Sequence, residues 1–398
     1  NDAVIYAEKQ VVCLEKLPKK EELEKNLIDA RTVLGLYYQQ MENLIEAKAA
    51  VDSIVDLAIK RNYKRRLAHI YGILGGSVVY VEEDFFKSLE YLEKSLKIGE
   101  ELNDNLSLVL SHLQMGMGLS HNCEFLKTLN CWEKALEINM AAKSLWGISG
   151  TKTWIAWVYH FQGKIDLQWH ASKEAIQIAD ESGDIWSKAH AFTIHGWSYY
   201  SKGYLEEAKE YLLKGTSFSE RINLLFWGAM THYYLGITYF DMEEYEISQN
   251  CYEKAISQHP HDSVPPSWTI HWKMLLALAK VMNNDKDISI PKIFEWYNDN
   301  KIKSTKGLMS ACIGRILLNI DDQNLSEAEE WIKRAVEEHK KYGMMWYLAR
   351  DYALYAEFFK RKGDLPKAKE NLGKAIEIFK ECGADGWVEK YKKELTVL

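Results

Sequence analysis

The chain has 398 residues and a formal net charge of −7, with Lys and Arg dispersed along its length. That excludes both the basic footprint of a nucleic-acid-binding protein and the polybasic patch of a membrane-surface protein. With 47% apolar and 12% aromatic residues it has material for a continuous core, and long disordered stretches are excluded. The cysteines (Cys13, Cys123, Cys131, Cys251, Cys312 and Cys382) form no CxxC pair, which points to free thiols in a reducing cytoplasm.

In chain order, apolar residues recur at helical spacing. Residues 1–18 read as the second helix of a repeat whose first helix is absent, which implies a fragment of a longer chain with further modules upstream. Residues 21–40 and 44–60 make the first full pair. Residues 67–81 and 84–102 make the next, with Asp84 as N-cap. Pairs at 106–122 with 125–143 and at 146–162 with 164–182 follow, and Asp184 and Asn223 stand where caps of later helices belong.

The fifth and sixth pairs write one pattern twice, forty residues apart. Gly196, Tyr199, Gly203, Ala208, Leu212 and Gly215 are answered by Gly236, Tyr239, Glu243, Ser248, Tyr252 and Ala255. Regular repeats cover 21–256. Residues 257–300 weaken the pattern and read either as a hinge or as an ordinary irregular repeat, with a short second helix from Pro291 in a favoured first-turn position. Regularity returns over 301–382, and 383–398 reads as a capping helix.

Two helices joined by a short turn approach closely only where their crossing points carry small residues. Steps of forty from Gly196 land on Ala156, Gly116, Gly76 and, one residue further, Gly35 in one direction, and on Gly236, Leu276, Ile316 and Ala356 in the other. A single array, 1–398, of about nine helix pairs with a terminal capping helix follows. The spacing of small and aromatic residues resembles the tetratricopeptide repeat, which implies an all-α, right-handed superhelical solenoid. The closing stretch RKGDLPKAKENLGKAIEIFKECGADGW is similar to the C-terminal arrays of bacterial signalling proteins built on STAND-type or AAA-type ATPases or nucleotide cyclases. A second resemblance is to bacterial peptide-sensing regulators with similarly long repeats.

In that repeat family the first helix of each pair lines the concave groove, through residues one, four and five after the small residue and three and six before it. Carried over, the resemblance implies Met117 and His121, then Trp157, His160 and Phe161, then His190, Trp197 and Tyr200, then Tyr233, Ile237 and Phe240. Such an aromatic groove suits a peptide, a partner protein, a small organic ligand or an upstream effector domain of the same chain. The alternative is that a tightly coiled array buries these side chains as its own core. Trp157, Trp197 and Ile237 occupy the places of the Asn in the family's carboxylate-clamping subgroup, so that mode is disfavoured.

No phosphate loop, zinc-protease or nucleophile-elbow motif occurs. His259, His261 and His271 form the only histidine cluster and fall short of a converging metal site. Cys123 and Cys131 near His121 lack an oxyanion site. The sequence therefore predicts a non-catalytic binding module with no metal and no cofactor, with a structural or oligomerisation scaffold as the competing role.

Overall fold

A computed structural model describes residues 2–18, 20–257, 264–285 and 287–398, apart from the side chain of Asp322. The expected cluster residues His259 and His261 lie outside the described residues. Among the described residues every regular element is helical. Helix α1 (Asp2–Glu15) packs on α2 (Glu21–Gln40). The expected helix over 44–60 is broken at Ser53 and Ile54 into α3 (Leu44–Asp52) and α4 (Val55–Lys60). Next, α5 (Lys64–Ser77) runs on through a π-helical turn, Val78–Glu82, before α6 (Phe85–Leu102).

The central pairs are regular: α7 (Asn105–His121) with α8 (Phe125–Ala141), α9 (Leu145–Phe161) with α10 (Ile165–Ser182), and α11 (Ile185–Lys202) with α12 (Leu205–Ile222). Then come α13 (Leu225–Asp241) with α14 (Tyr245–Ser257), and α15 (Pro266–Met282) with the short α16 (Ile290–Asp299), which carries Pro291 in its first turn. The array ends with α17 (Lys303–Ile320) and α18 (Leu325–Lys341), α19 (Met345–Arg361) and α20 (Leu365–Cys382), and the terminal α21 (Asp385–Val397).

Local chemistry sets the ends of these helices. Asp84 accepts a hydrogen bond from the Lys87 backbone N–H at 3.1 Å and Asp184 from that of Ser187 at 2.7 Å, so both cap as expected. Asn223 acts at the other end, as the left-handed residue that closes α12 at φ 51°. Left-handed residues recur about every twenty positions, at Glu42, Asn62, Glu83, Asn103, Cys123, Lys143, Gly163, Gly183 and Gly203. They satisfy the last carbonyls of each helix and reverse the chain.

Small residues at the crossings act as expected, with a shifted register in two repeats. A Cβ on Gly35, Gly116, Gly196 or Gly236 would lie 2.2–2.8 Å from the side chains of Val51, Trp132, Leu212 and Tyr252. The equivalent seats are Gly75, not Gly76, under Leu92, and Gly314, not Ile316, under Ile332. Ser88 and Ser248 add hydroxyl bonds of 2.8 Å to the carbonyls of Gly75 and Gly236.

The chain then meets itself one superhelical turn later, 184 residues on. The turn inside each lower pair touches the N-terminus of the first helix of an upper pair. Glu42 accepts the Phe226 backbone N–H at 2.5 Å, and Glu83 accepts both the backbone N–H and the hydroxyl of Ser267 at 2.8 Å. Trp346 donates to the Ser201 carbonyl at 2.8 Å and Trp387 to that of Tyr200 at 2.9 Å. At Gly203 (φ 91°) a Cβ would lie 2.4 Å from the Trp387 backbone nitrogen. Gly183 (φ 70°) has nothing within 4 Å of the same position.

These two glycines separate backbone strain from closure of the superhelix. Gly183→Ala is expected to cost about 1 kcal/mol through its positive φ. Gly203→Ala adds a backbone clash and is expected to cost at least about 2 kcal/mol more. Equal urea midpoints for the two variants would show that the turn-on-turn contact is loose.

Candidate functional site

The first helices of the pairs converge on the superhelix axis, and the expected groove residues fall into two groups there. In the first group, closure of the superhelix fills the axis. Trp157 is 3% exposed, donates its indole N–H to the Tyr234 hydroxyl at 3.2 Å, and packs against Trp132, Phe161, Trp197 and Trp268. His160 lies 4.1 Å from Trp197, centroid to centroid, and pairs with the Ser201 hydroxyl at 2.8 Å. Phe161 is buried between Phe125 and Tyr347, and His190 between Trp186 and Trp227. Met117 and His121 line, with Trp157, a void of about 10 Å³, room for no more than one water. This stretch is core, not an open aromatic groove, because the next turn of the superhelix supplies the Trp268 and Trp346 that cover it.

The second group, Trp197, Tyr200, Tyr233, Ile237 and Phe240, forms one wall of a cavity of about 460 Å³. The other walls come from α15 (His271, Leu275, Leu278, Met282), α17 (Leu308, Ala311, Cys312, Arg315), α19 (Trp346, Tyr347, Arg350, Asp351, Leu354) and α21 (Lys390, Tyr391, Glu394). The exposed Glu243, Lys360 and Lys390 stand at its rim.

A charged cluster sits in this otherwise aromatic chamber. Asp241, with its side chain 5% exposed, accepts the Tyr200 hydroxyl and one amino group of Arg350, each at 2.7 Å. The Arg350 guanidinium lies 4.5 Å over Trp387, that of Arg315 lies 4.8 Å over Phe240, and the Lys390 ammonium stands 5.1 Å over Trp387. Burial opposes the charge on Asp241, but Arg350, Lys390 and Arg315 outweigh it and hold the carboxyl below its ordinary pKa. Crowding by the walls, with Arg350 and Arg315 nearby, lowers Lys390 despite its exposed side chain. Burial lifts Tyr200 well above 10, and Asp241 adds to the shift. Deeper in the wall, His339 and Asp351 pair at 2.5 Å, both nearly fully buried, and burial raises the Asp351 carboxyl against the pull of His339.

Sequence reasoning missed Asp241, Arg315, Arg350, Lys390, His339 and Asp351. A signal for three of them existed. Asp241 is five after Gly236, and Arg350 is six before Ala356, both groove offsets. Arg315 is one after Gly314, the seat the structure assigns, and is hidden when Ile316 is taken instead. Lys390 lies on α21, beyond the last repeat, and carried no signal.

Among the described residues no group of three or more His, Cys, Asp or Glu could hold a metal, and no helix is long and apolar enough to cross a membrane. Cys123 is pushed up to about 12 by burial, which leaves it a poor nucleophile.

The tetratricopeptide-repeat family profile matches residues 189–221 and 231–262. A curated relative, the antiviral innate immune response effector IFIT1 of Homo sapiens, is 24% identical over 243 residues, which is 57% of this chain. The chain spans about half, 48%, of that relative's length. Among solved structures, a Rap protein complexed with competence and sporulation factor is similar at a TM-score of 0.62 and 12% identity, covering 90% of this chain and 99% of that one. The Rap conjugation gene regulator of plasmid pLS20, in complex with the Phr* peptide, is similar at 0.55 and 13% identity, covering 80% and 96%. The chain is a tetratricopeptide-type helical array.

Two expectations follow from the burial of the axis. Trp157→Ala removes a fully packed indole and should cost roughly 3–5 kcal/mol by chemical denaturation. A cost below ~1 kcal/mol would return Trp157 to the surface. The second concerns pH, because burial lowers the pKa of His121, His160 and His271 to about 3 and of His195 and His232 to about 4. Folded values below the unfolded 6.5 mean that this stability is complete above pH ~6.5 and is lost as pH falls toward 4 and 3. Each such histidine loses roughly 1.4 kcal/mol per pH unit across that window. Melts should show Tm falling steeply from pH 6.5 to 4; a flat Tm would mean that these histidines charge freely in the folded chain.

Proposed function

We propose that this array is a peptide-binding regulatory module whose site is the cavity between α13, α15, α17, α19 and α21. The single observation that carries the reading is the cavity's make-up: about 460 Å³, aromatic walls, and one charged cluster. That volume lies within the roughly 300–1,000 Å³ of clefts that take small ligands. Aromatic walls bind apolar side chains, and a few fixed polar groups set orientation. The fold is shared with a Rap protein complexed with competence and sporulation factor and with a Rap regulator in complex with the Phr* peptide, which supports a peptide over other organic ligands.

Helices α11, α13, α14, α15, α17, α18, α19 and α21 meet at this one cavity. A ligand there bridges units far apart in sequence, so occupancy favours one spacing of the upper superhelical turn. Any attached effector domain would sense that spacing through the turn-on-turn contacts. The reading requires no chemistry from the chain itself.

Thermal shift and intrinsic fluorescence with a pool of random pentapeptides test it, Trp346 being the cavity's own reporter. A binding peptide at a hundred times its Kd should stabilise the protein by about 2.7 kcal/mol. Ala311→Trp, which fills the cavity from α17, should abolish the shift while the variant still melts cooperatively. If Ala311→Trp binds the same peptides with unchanged affinity, the site is elsewhere.

A further inference from the structure

Around the cavity the carboxylates Asp241, Glu243, Asp351, Glu357 and Glu394 stand with the cations Arg315, Arg350, Lys360 and Lys390, but the two sets are paired unevenly. Asp241 has committed one oxygen to Tyr200 and the other to Arg350. Two more cations act on the same carboxylate, Arg315 and Lys390, and neither makes an ion pair among the described residues. Glu243, Glu357 and Glu394 also line the cavity, but none is within ion-pair distance of Arg315, Arg350 or Lys390 among the described residues. Lys360, at the rim, adds a fourth cation.

The lining side chains also carry buried polar atoms without partners: Arg315 Nε, Arg350 Nη1, Tyr252 Oη, His271 Nδ1 and His339 Nε2. Tyr252 is 0%, His339 1% and His271 3% exposed. Folded proteins leave few such atoms unpaired, because each costs about 1–3 kcal/mol. Two of those at this chamber, Arg315 Nε and Arg350 Nη1, belong to cations, and an anionic guest would complete them.

We infer that the cavity anchors its peptide through a carboxylate, C-terminal or acidic side chain, received by Arg315, Arg350 and Lys390 beside Asp241. The inference rests on the peptide reading and deepens it. A guanidinium offers paired donors that match a carboxylate, and charge-assisted bonds in a crowded site are stronger than neutral ones. The anchor differs from a clamp built of groove lysines and asparagines, since Ile237 and Trp197 hold those places here.

The test uses the full chain and three N-acetylated tripeptides: Ser-Phe-Leu with a free C-terminal carboxylate, the same peptide as its amide, and Glu-Phe-Leu amide. Inorganic phosphate at ionic strength matched with chloride is the fourth probe. At least one carboxylate peptide is expected to bind about tenfold tighter than the neutral amide, and which one tells the C-terminal from the side-chain source. Arg315→Gln and Lys390→Gln should each erase most of that preference without lowering Tm. Asp241→Asn removes a competing negative charge and should strengthen carboxylate binding, a change of opposite sign that a merely structural role would not give. Equal binding of all three peptides would overturn the carboxylate anchor and leave the peptide site standing. Phosphate binding without any peptide would overturn both the peptide reading and the carboxylate assignment, as would no binding by any probe.

Discussion

The structure depends on one contact repeated along the superhelix, the turn of a lower pair against the N-terminus of a helix one superhelical turn above. A stack of helix pairs has no intrinsic reason to fill its axis, because each pair needs only its neighbours. Here the chain returns to itself after 184 residues, and the meeting residues are chosen for it. Where backbone must touch backbone, Gly203 faces Gly386 and Trp387. Where there is room for a side chain, Glu42 and Glu83 reach up to the first N–H groups of α13 and α15, which helices leave unpaired and which favour a carboxylate. The same turn positions serve helix termination in the lower turn and capping in the upper one.

Closure explains why the axis is solid in the middle and hollow above. Trp157 is enclosed because α15 and α19 bring Trp268 and Trp346 over it. Over the upper half, among the described residues, α21 lies across the inner face with Lys390, Tyr391 and Glu394, and a chamber of about 460 Å³ persists between α13 and α19. The five expected groove residues that line it are those nearest this end, from Trp197 on α11 to Phe240 on α13.

What was legible in the sequence was local. Small residues mark the crossings, left-handed residues mark the ends, and both follow from contacts within about forty residues. The inward direction of Met117, Trp157, Trp197 and Tyr233 was legible too, because helical spacing fixes which face they share. Whether that face met solvent or another turn was not, since it depends on the rise of the superhelix, a sum of small rotations over several repeats. Register was lost wherever one or two residues were added or removed between seats. Taking Ile316 for Gly314 turned Arg315 from a groove position into an unremarkable one. The break at Ser53 and Ile54 and the π-helical turn at Val78–Glu82 are likewise departures from an even period that the repeat pattern does not carry.

The ion cluster around Asp241 is a poor investment in stability. Withdrawing a carboxylate and a guanidinium from water costs several kcal/mol each, and aromatic packing of the same volume often does as well or better. The lower axis shows that this chain has that alternative, since equivalent positions there hold Trp157, Phe161 and Met117. Asp241 and Arg350 satisfy each other only in part, because Arg350 keeps an unpaired amino group, and Arg315 and Lys390, though they act on Asp241 from a distance, make no ion pair among the described residues. A cluster built for rigidity would close its hydrogen bonds, as the buried Asp104 does by taking His69 at 2.7 Å and the Ser107 backbone N–H at 3.1 Å. The one around Asp241 is left open on the side of the cavity, where a third party with negative charge lowers the free energy of the whole arrangement.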